Sequence, residues 1–297
     1  MGTEEPTTVR TDVWTVQRIL QWTIGFLKEK GVESPRLEAE LLLAHARNCL
    51  RIRLYTDFES VVTDEERAKM REYVQRRARR EPLAYIVGSK EFYGRNFEVR
   101  PGILIPRPET ETLIDVCLEQ IPKDAPTRLL EVGVGSGCIA ITLARQRPEV
   151  SVVATDISPI AIEVATLNSE RHEVQPRIRI LQGNCLQPIR SLNEPLFDGL
   201  VSNPPYIRED ERSILAPEVA QHEPAEALFS GEDGLDVTRQ MINESAEVIR
   251  PGGFIALELD PKQCEEVSEL LKQSGYERIQ IIKDLNGAER IVLAFRQ

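Results

Sequence analysis

The chain has 297 residues, 41% of them hydrophobic and 29% charged, with a net charge of -11. That is enough apolar material for one large domain or two smaller ones. The negative balance excludes a protein that coats nucleic acid by charge alone, though it leaves room for a local basic patch. No apolar run approaches membrane-spanning length, and residues 1–12 lack the apolar core of a secretion signal, so a cytoplasmic location is expected.

Cys49, Cys117, Cys138, Cys185 and Cys264 are odd in number, and no two stand at C-x2-C spacing. With only three histidines beside them, neither a disulfide framework nor a metal centre is indicated.

Residues 1–12 are polar and expected to fray. From Val13 to about Lys30, Val16, Ile19, Leu20, Ile24 and Leu27 recur at helical spacing. Ser34-Pro35 reads as a cap followed by proline at the first position of a second helix. Thr63 and Glu66 have capping-box spacing and open a third helix to about Arg80. Together these form a small helical domain. The third helix carries seven basic residues between Arg67 and Arg80, which read either as a solvated face or as a platform for a partner bearing RNA or acidic patches.

Residues 81–107 read as a joint, with a hairpin between Glu91 and Val99 turning at Gly94. The stretch Ile103 to Glu111, stiffened by Pro106 and Pro108, is either a linker running into a helix or a segment folded over a cofactor. Strands and helices then alternate, as in an α/β sheet. Strands are expected at Arg128–Val132, Ser151–Thr155, Arg177–Leu181, Leu196–Val201 and Phe254–Glu258, the last entered through a Pro251-Gly252-Gly253 turn. Helices follow Gly137 and Ser158, and others cover about Gly234–Ile249 and Pro261–Ser274. A final antiparallel pair, Tyr276–Ile282 and Arg290–Phe295, is unusual for a six-stranded dinucleotide fold and fits a seven-stranded methyltransferase sheet.

Two loops carry the chemistry. Gly133-Val134-Gly135-Ser136-Gly137 joins a strand to a helix, where a backbone without Cβ approaches a ligand closely beside free helical N–H groups. Asp156, ending the next strand, can accept from both hydroxyls of a ribose. The spacing is not the G-x-G-x-x-G of a nicotinamide enzyme, and no phosphate-binding lysine follows it. S-adenosylmethionine, which has no pyrophosphate, suits it better. Asn184 and Cys185, just past the third strand, read either as an edge facing the adenine or as an ordinary turn.

The second loop is Asn203-Pro204-Pro205-Tyr206. The Asn203 side-chain carbonyl and the proline carbonyls, held by fixed φ angles, can grip a planar NH2 group beside the Tyr206 ring. Methyl transfer to an amide or amino nitrogen follows. Asp198 reads as a turn or solvent-facing residue rather than a base, and the role of Glu223 is open between orienting a substrate loop and capping a turn.

On Glu81–Gly88, Leu104–Glu111, Glu131–Gly137, Asp156, Ser202–Ile207, His222–Leu228 and Gly231–Leu235, the chain resembles the release-factor glutamine N5-methyltransferase family (PrmC/HemK) over nearly its full length. The resemblance implies a seven-stranded class I S-adenosylmethionine-dependent methyltransferase (Rossmann-like) domain at 108–297. Before it would come a helical partner-binding domain at 1–88 and a hairpin and linker at 89–107. It implies S-adenosyl-L-methionine at Gly133–Gly137, Asp156, Cys185 and Asn203. The substrate would be the glutamine of the Gly-Gly-Gln loop of class I peptide chain release factors, held at Asn203–Tyr206 by a monomer with no nucleic-acid substrate. Two departures stand out. Val134 replaces a usual loop hydroxyl, and Cys185 a commonly aromatic residue. An adenine N6 methyltransferase is the alternative, since an exocyclic amine offers Asn203 and Pro204 the same geometry. A binding module that kept the sheet without catalysis is a third.

Overall fold

The computed structural model describes residues 13–190, 192 and 195–297, so the polar segment 1–12 lies outside the described residues. The chain divides into two compact units, Met1–Val87 and Gly88–Gln297.

The first unit is helical: α1 (Val16–Glu29), α2 (Pro35–Ala46), α3 (Arg51–Thr56), α4 (Asp64–Ala78) and α5 (Leu83–Val87). Helices α1 and α4 start at side-chain caps, whereas the expected Ser34 cap makes no side-chain bond and α2 starts on Pro35 alone. The Thr15 hydroxyl accepts from Arg18 N at 3.3 Å. Thr63 and Glu66 complete the expected capping box, with Glu66 N donating to Thr63 Oγ1 at 3.2 Å and Thr63 N to Glu66 Oε2 at 2.9 Å. Helices α3 and α5 were not anticipated, because six and five residues are too few to show a helical period. Leu20, Leu27, Leu42, Leu43, Leu54, Met70 and Val74 close the core.

The basic stretch of α4 is largely committed within this unit. Arg77 is buried and forms a forked pair with Glu38, Arg76 holds Glu81 at 2.6 Å, and Arg80 donates to the Gly31 carbonyl at 3.1 Å.

The second unit opens with a hairpin, β1 (Ser89–Phe92) and β2 (Arg95–Glu98). Tyr93 and Gly94 at its tip both have positive φ, as a tight two-residue turn requires. Then come α6 (Thr110–Gln120), β3 (Thr127–Val132), α7 (Cys138–Gln146), β4 (Val150–Asp156), α8 (Pro159–Arg171), β5 (Ile178–Gln182) and α9 (Gln187–Arg190). The chain ends with β6 (Phe197–Ser202), α10 (Pro217–His222), α11 (Asp236–Ser245), β7 (Ile249–Glu258), α12 (Cys264–Gln273), β8 (Tyr276–Lys283) and β9 (Glu289–Arg296).

Seven strands form one sheet in the order β5-β4-β3-β6-β7-β9-β8. The first five are mutually parallel, and β9 runs antiparallel between β7 and β8. Side chains alternate between two apolar layers, with Leu129 facing one and Leu130 the other. The expected Pro251-Gly252-Gly253 turn is instead an irregularity inside β7. Pairing with β6 jumps from Ile249 to Phe254, because Pro251 lacks a ladder donor and Gly252 takes a φ of 74°. Among the described residues no helix is long and apolar enough to cross a membrane.

Sequence order reverses between β3 and β6: from β3 the chain moves outward through β4 and β5, then returns to β3's other side. Such a reversal leaves a crevice outside the carboxyl ends of the strands. Asn168 on α8 ties β2 to the loop after β3. Its Oδ1 accepts from Glu98 N at 2.8 Å, and its Nδ2 donates to Glu98 O at 3.1 Å and Ser136 O at 2.9 Å. Asn168→Leu keeps the bulk but strands three backbone groups, the Ser136 carbonyl among them in a buried bond. Urea denaturation is expected to show a loss of about 3 kcal/mol.

Candidate functional site

The loop after β3 is shaped by its own backbone bonds. Gly133 N and Val134 N both donate to Thr155 O, at 2.9 and 3.1 Å, and Gly137 N donates to Val134 O at 2.7 Å. Gly137 has a φ of 80°, and a Cβ there would press on Ile141 and Ala165. No other residue fits that corner. Glu131, buried in β3, accepts from Ala140 N at 3.0 Å and so caps the first turn of α7. Burial, with the charge of Asp156 adding to it, lifts its carboxyl well above the usual range.

Asp156 closes the next strand. Its Oδ2 accepts from Gly135 N and its Oδ1 from Ser158 N, both at 2.9 Å, which fixes the carboxylate at the crevice. Burial raises its pKa, opposed by these backbone bonds. Cys185 is buried at a φ of 46°, and its carbonyl accepts from Thr155 Oγ1 at 2.9 Å. Burial pushes its thiol up to about 11, so it stays protonated near pH 7.

Gly133, Gly135, Asp156, Cys185, Asn203 and Pro204 line one cavity, to which Gly102, Ile103 and Leu104 also contribute. Of the expected cofactor set, Val134, Ser136 and Gly137 do not line it. Within the loop, Val134 and Ser136 are buried. The cavity fits a nucleoside cofactor. Asp156 keeps acceptor lone pairs at its rim, the loop backbone is bare at Gly133 and Gly135, and the remaining wall is mostly apolar.

A second cavity lies on the other side of the Asn203 loop, lined by Leu104, Arg107, Asn203, Pro204, Tyr206 and Ile207 among others. Asn203 and Pro204 therefore belong to both. The loop is clamped from several directions. Ser202 Oγ donates to Val132 O at 2.7 Å, and Asn203 Nδ2 to Thr110 Oγ1 at 3.2 Å. Gln263 Nε2 donates to Tyr206 O and Asp233 O, both at 3.0 Å. With Nδ2 committed, Asn203 is left with Oδ1 as its acceptor. Burial, then the charge of Glu258, pushes the Tyr206 phenol up to about 12, so the ring is neutral near pH 7.

Glu223 gains a definite role. Its carboxylate accepts from Ile105 N at 3.2 Å and from Arg107 at 2.6 Å, tying the Pro106–Pro108 segment beside the cavities. Asp198 lies at the amino end of β6, away from the crevice, and holds Arg128 N at 2.7 Å and Arg250 Nε at 2.6 Å. Thr110 and Gln263 escaped sequence reasoning, since each bonds the Asn203 loop from a distant part of the chain.

Models of two protein families match: the PrmC N-terminal domain over residues 18–88 and the methyltransferase small domain over residues 111–231. A release factor glutamine methyltransferase of Geobacter sulfurreducens is 42% identical over 285 residues, covering 96% of this chain and 98% of that one. One of the same name from Rhodopirellula baltica is 41% identical, covering 94% and 95%. A methyltransferase crystal structure from Pyrococcus furiosus shares the fold, with a TM-score of 0.51 at 21% identity over 70% of this chain and 91% of that one. The chain belongs to the release factor glutamine methyltransferase family and is an S-adenosyl-L-methionine-dependent methyltransferase.

Proposed function

We propose that the protein methylates the side-chain amide nitrogen (N5) of the glutamine in the Gly-Gly-Gln motif of class I peptide chain release factors. The observation that carries this reading is the wall shared by the two cavities. Asn203 and Pro204 face both, so a group gripped by their oxygens from one side meets whatever fills the other.

Gly133, Gly135, Asp156 and Cys185 would hold S-adenosyl-L-methionine, which supplies an electrophilic methyl group on a sulfonium. The rest is the work of this chain. A carboxamide nitrogen is a poor nucleophile because its lone pair is delocalised, so placement supplies most of the catalysis. The Asn203 Oδ1 and the Pro204 carbonyl accept the two N–H bonds of the substrate amide. Both oxygens also favour positive charge developing on that nitrogen. Tyr206 walls the substrate side, and the Glu223–Arg107 pair holds the neighbouring segment in place. The helical unit would dock the release factor through those surfaces of α4 that internal pairs leave uncovered.

Labelled methyl transfer to purified class I release factor tests the reading, with the motif glutamine intact or changed to alanine and DNA alongside. Label is expected on the intact protein and lost with the alanine change; label on DNA adenine instead would overturn it. In the same assay Asn203→Ala is expected to lower kcat by about 10²–10³ while cofactor affinity stays within a few-fold of wild type. Asp156→Asn should do the reverse, raising the Kd for S-adenosyl-L-methionine by about tenfold to a hundredfold by calorimetry.

A further inference from the structure

The cavity that would hold the cofactor is charged in one sense only. Asp156 and Glu226 both line it, and no lysine, arginine or histidine is among its lining residues. Asp156 is committed in part: Gly135 N and Ser158 N donate to its two oxygens, and these backbone dipoles offset some of its charge. Glu226 is different. Among the described residues its carboxylate has neither a hydrogen bond nor an ion pair.

The backbone that carries Glu226 is nonetheless held. The residue lies in the short turn Ala225–Ala227, and Pro224 and Ala227 line the same cavity. Before the turn, Glu223 is anchored to Ile105 N and Arg107. After it, Ile207 N donates to Leu228 O and Phe229 N to Ala225 O, both at 2.9 Å. An exposed side chain that lines a cavity stands at its rim, so the Glu226 charge is kept beside whatever enters. Its field reaches the interior as well. Burial chiefly raises the pKa of Asp156, and the charge of Glu226 adds to that rise.

Charge is what separates the two ligands this cavity must handle. S-adenosyl-L-methionine carries a sulfonium and an ammonium against one carboxylate, and so is a net cation. When its methyl group passes to the substrate nitrogen, the sulfur keeps the bonding pair and the nitrogen gives a proton to solvent. The product, S-adenosyl-L-homocysteine, is therefore net neutral but otherwise almost the same shape. Hydrogen bonds to ribose and adenine cannot tell the two apart; an unpaired negative charge can. We propose that Glu226 is a specificity-determining residue that makes the cavity prefer the cationic cofactor to its neutral product. The inference rests on the placement of the cofactor in this cavity. Water and salt screen an exposed carboxylate, so the preference it confers is several-fold rather than orders of magnitude.

The test is calorimetry of S-adenosyl-L-methionine and S-adenosyl-L-homocysteine with the full chain as wild type, Glu226→Gln, Glu226→Lys and Asp156→Asn, all at one pH. Glu226→Gln keeps the size and removes the charge. It is expected to raise the Kd for the cation about threefold to tenfold and to leave that for the neutral product within about twofold. Glu226→Lys should enlarge the same one-sided loss. The wild-type preference should shrink as salt rises from about 0.05 to 0.5 M, more steeply than in Glu226→Gln. A Glu226→Gln protein with an unchanged Kd for S-adenosyl-L-methionine, or with both Kd values raised together, overturns the inference. Asp156→Asn should weaken both ligands, since both carry the ribose. If it weakens neither, the placement of the cofactor in this cavity falls instead.

Discussion

The parallel pairing of β3 with β6 is the constraint on which the rest depends. Val132 lies opposite Ser202 in that pairing, and the Ser202 hydroxyl bonds the Val132 carbonyl at the last rung. Because the chain reverses its outward course between these two strands, both loops leave the sheet side by side with nothing of the sheet above them. The glycine loop and the Asn203 loop are thus neighbours by topology, although some seventy positions of sequence separate their strands. Asp156 and Cys185 join them because β4 and β5 lie next in the same parallel order.

Around this crevice the protein spends side-chain hydrogen bonds on backbone that no regular structure could satisfy. Asp156 holds Gly135 N, Glu131 holds Ala140 N, Glu223 holds Ile105 N, and Gln263 holds two carbonyls at once. Each such bond contributes about 1 kcal/mol net, and about 1–3 kcal/mol is lost when a buried partner is left unmet. Their common effect is shape. Loops at strand ends are ordinarily the mobile part of a fold; here they are cross-tied to helices and to each other.

What the sequence makes legible and what it hides divide along physical lines. The glycine loop, Asp156 and Asn203–Tyr206 can be read directly, because each signature is contiguous and its chemistry belongs to the residues themselves. The capping box of α4 and the hairpin turn at Gly94 are local in the same sense. Thr110, Gln263 and Glu223 act on partners 93, 57 and 118 positions away, and no short-range pattern encodes such distances. Arg77 is the clearest case. Its sequence neighbours make it look like part of a solvated basic face, yet it turns inward to Glu38, 39 positions earlier. The irregularity in β7 hid for a related reason: Pro-Gly-Gly is turn chemistry, and strand pairing on both sides of it overrides that preference.

The clamped Asn203 loop has a consequence for the energetics of recognition. Two consecutive prolines restrict φ, Gln263 holds the Tyr206 carbonyl, and Thr110 holds the Asn203 amide, so the loop is formed before any ligand arrives. Freezing a flexible loop on association would subtract about 0.5–1.5 kcal/mol for each side chain immobilised. Here that ordering entropy is already lost when the chain folds. Affinity at this surface is therefore governed by fit and desolvation, and a partner meets a mould already set.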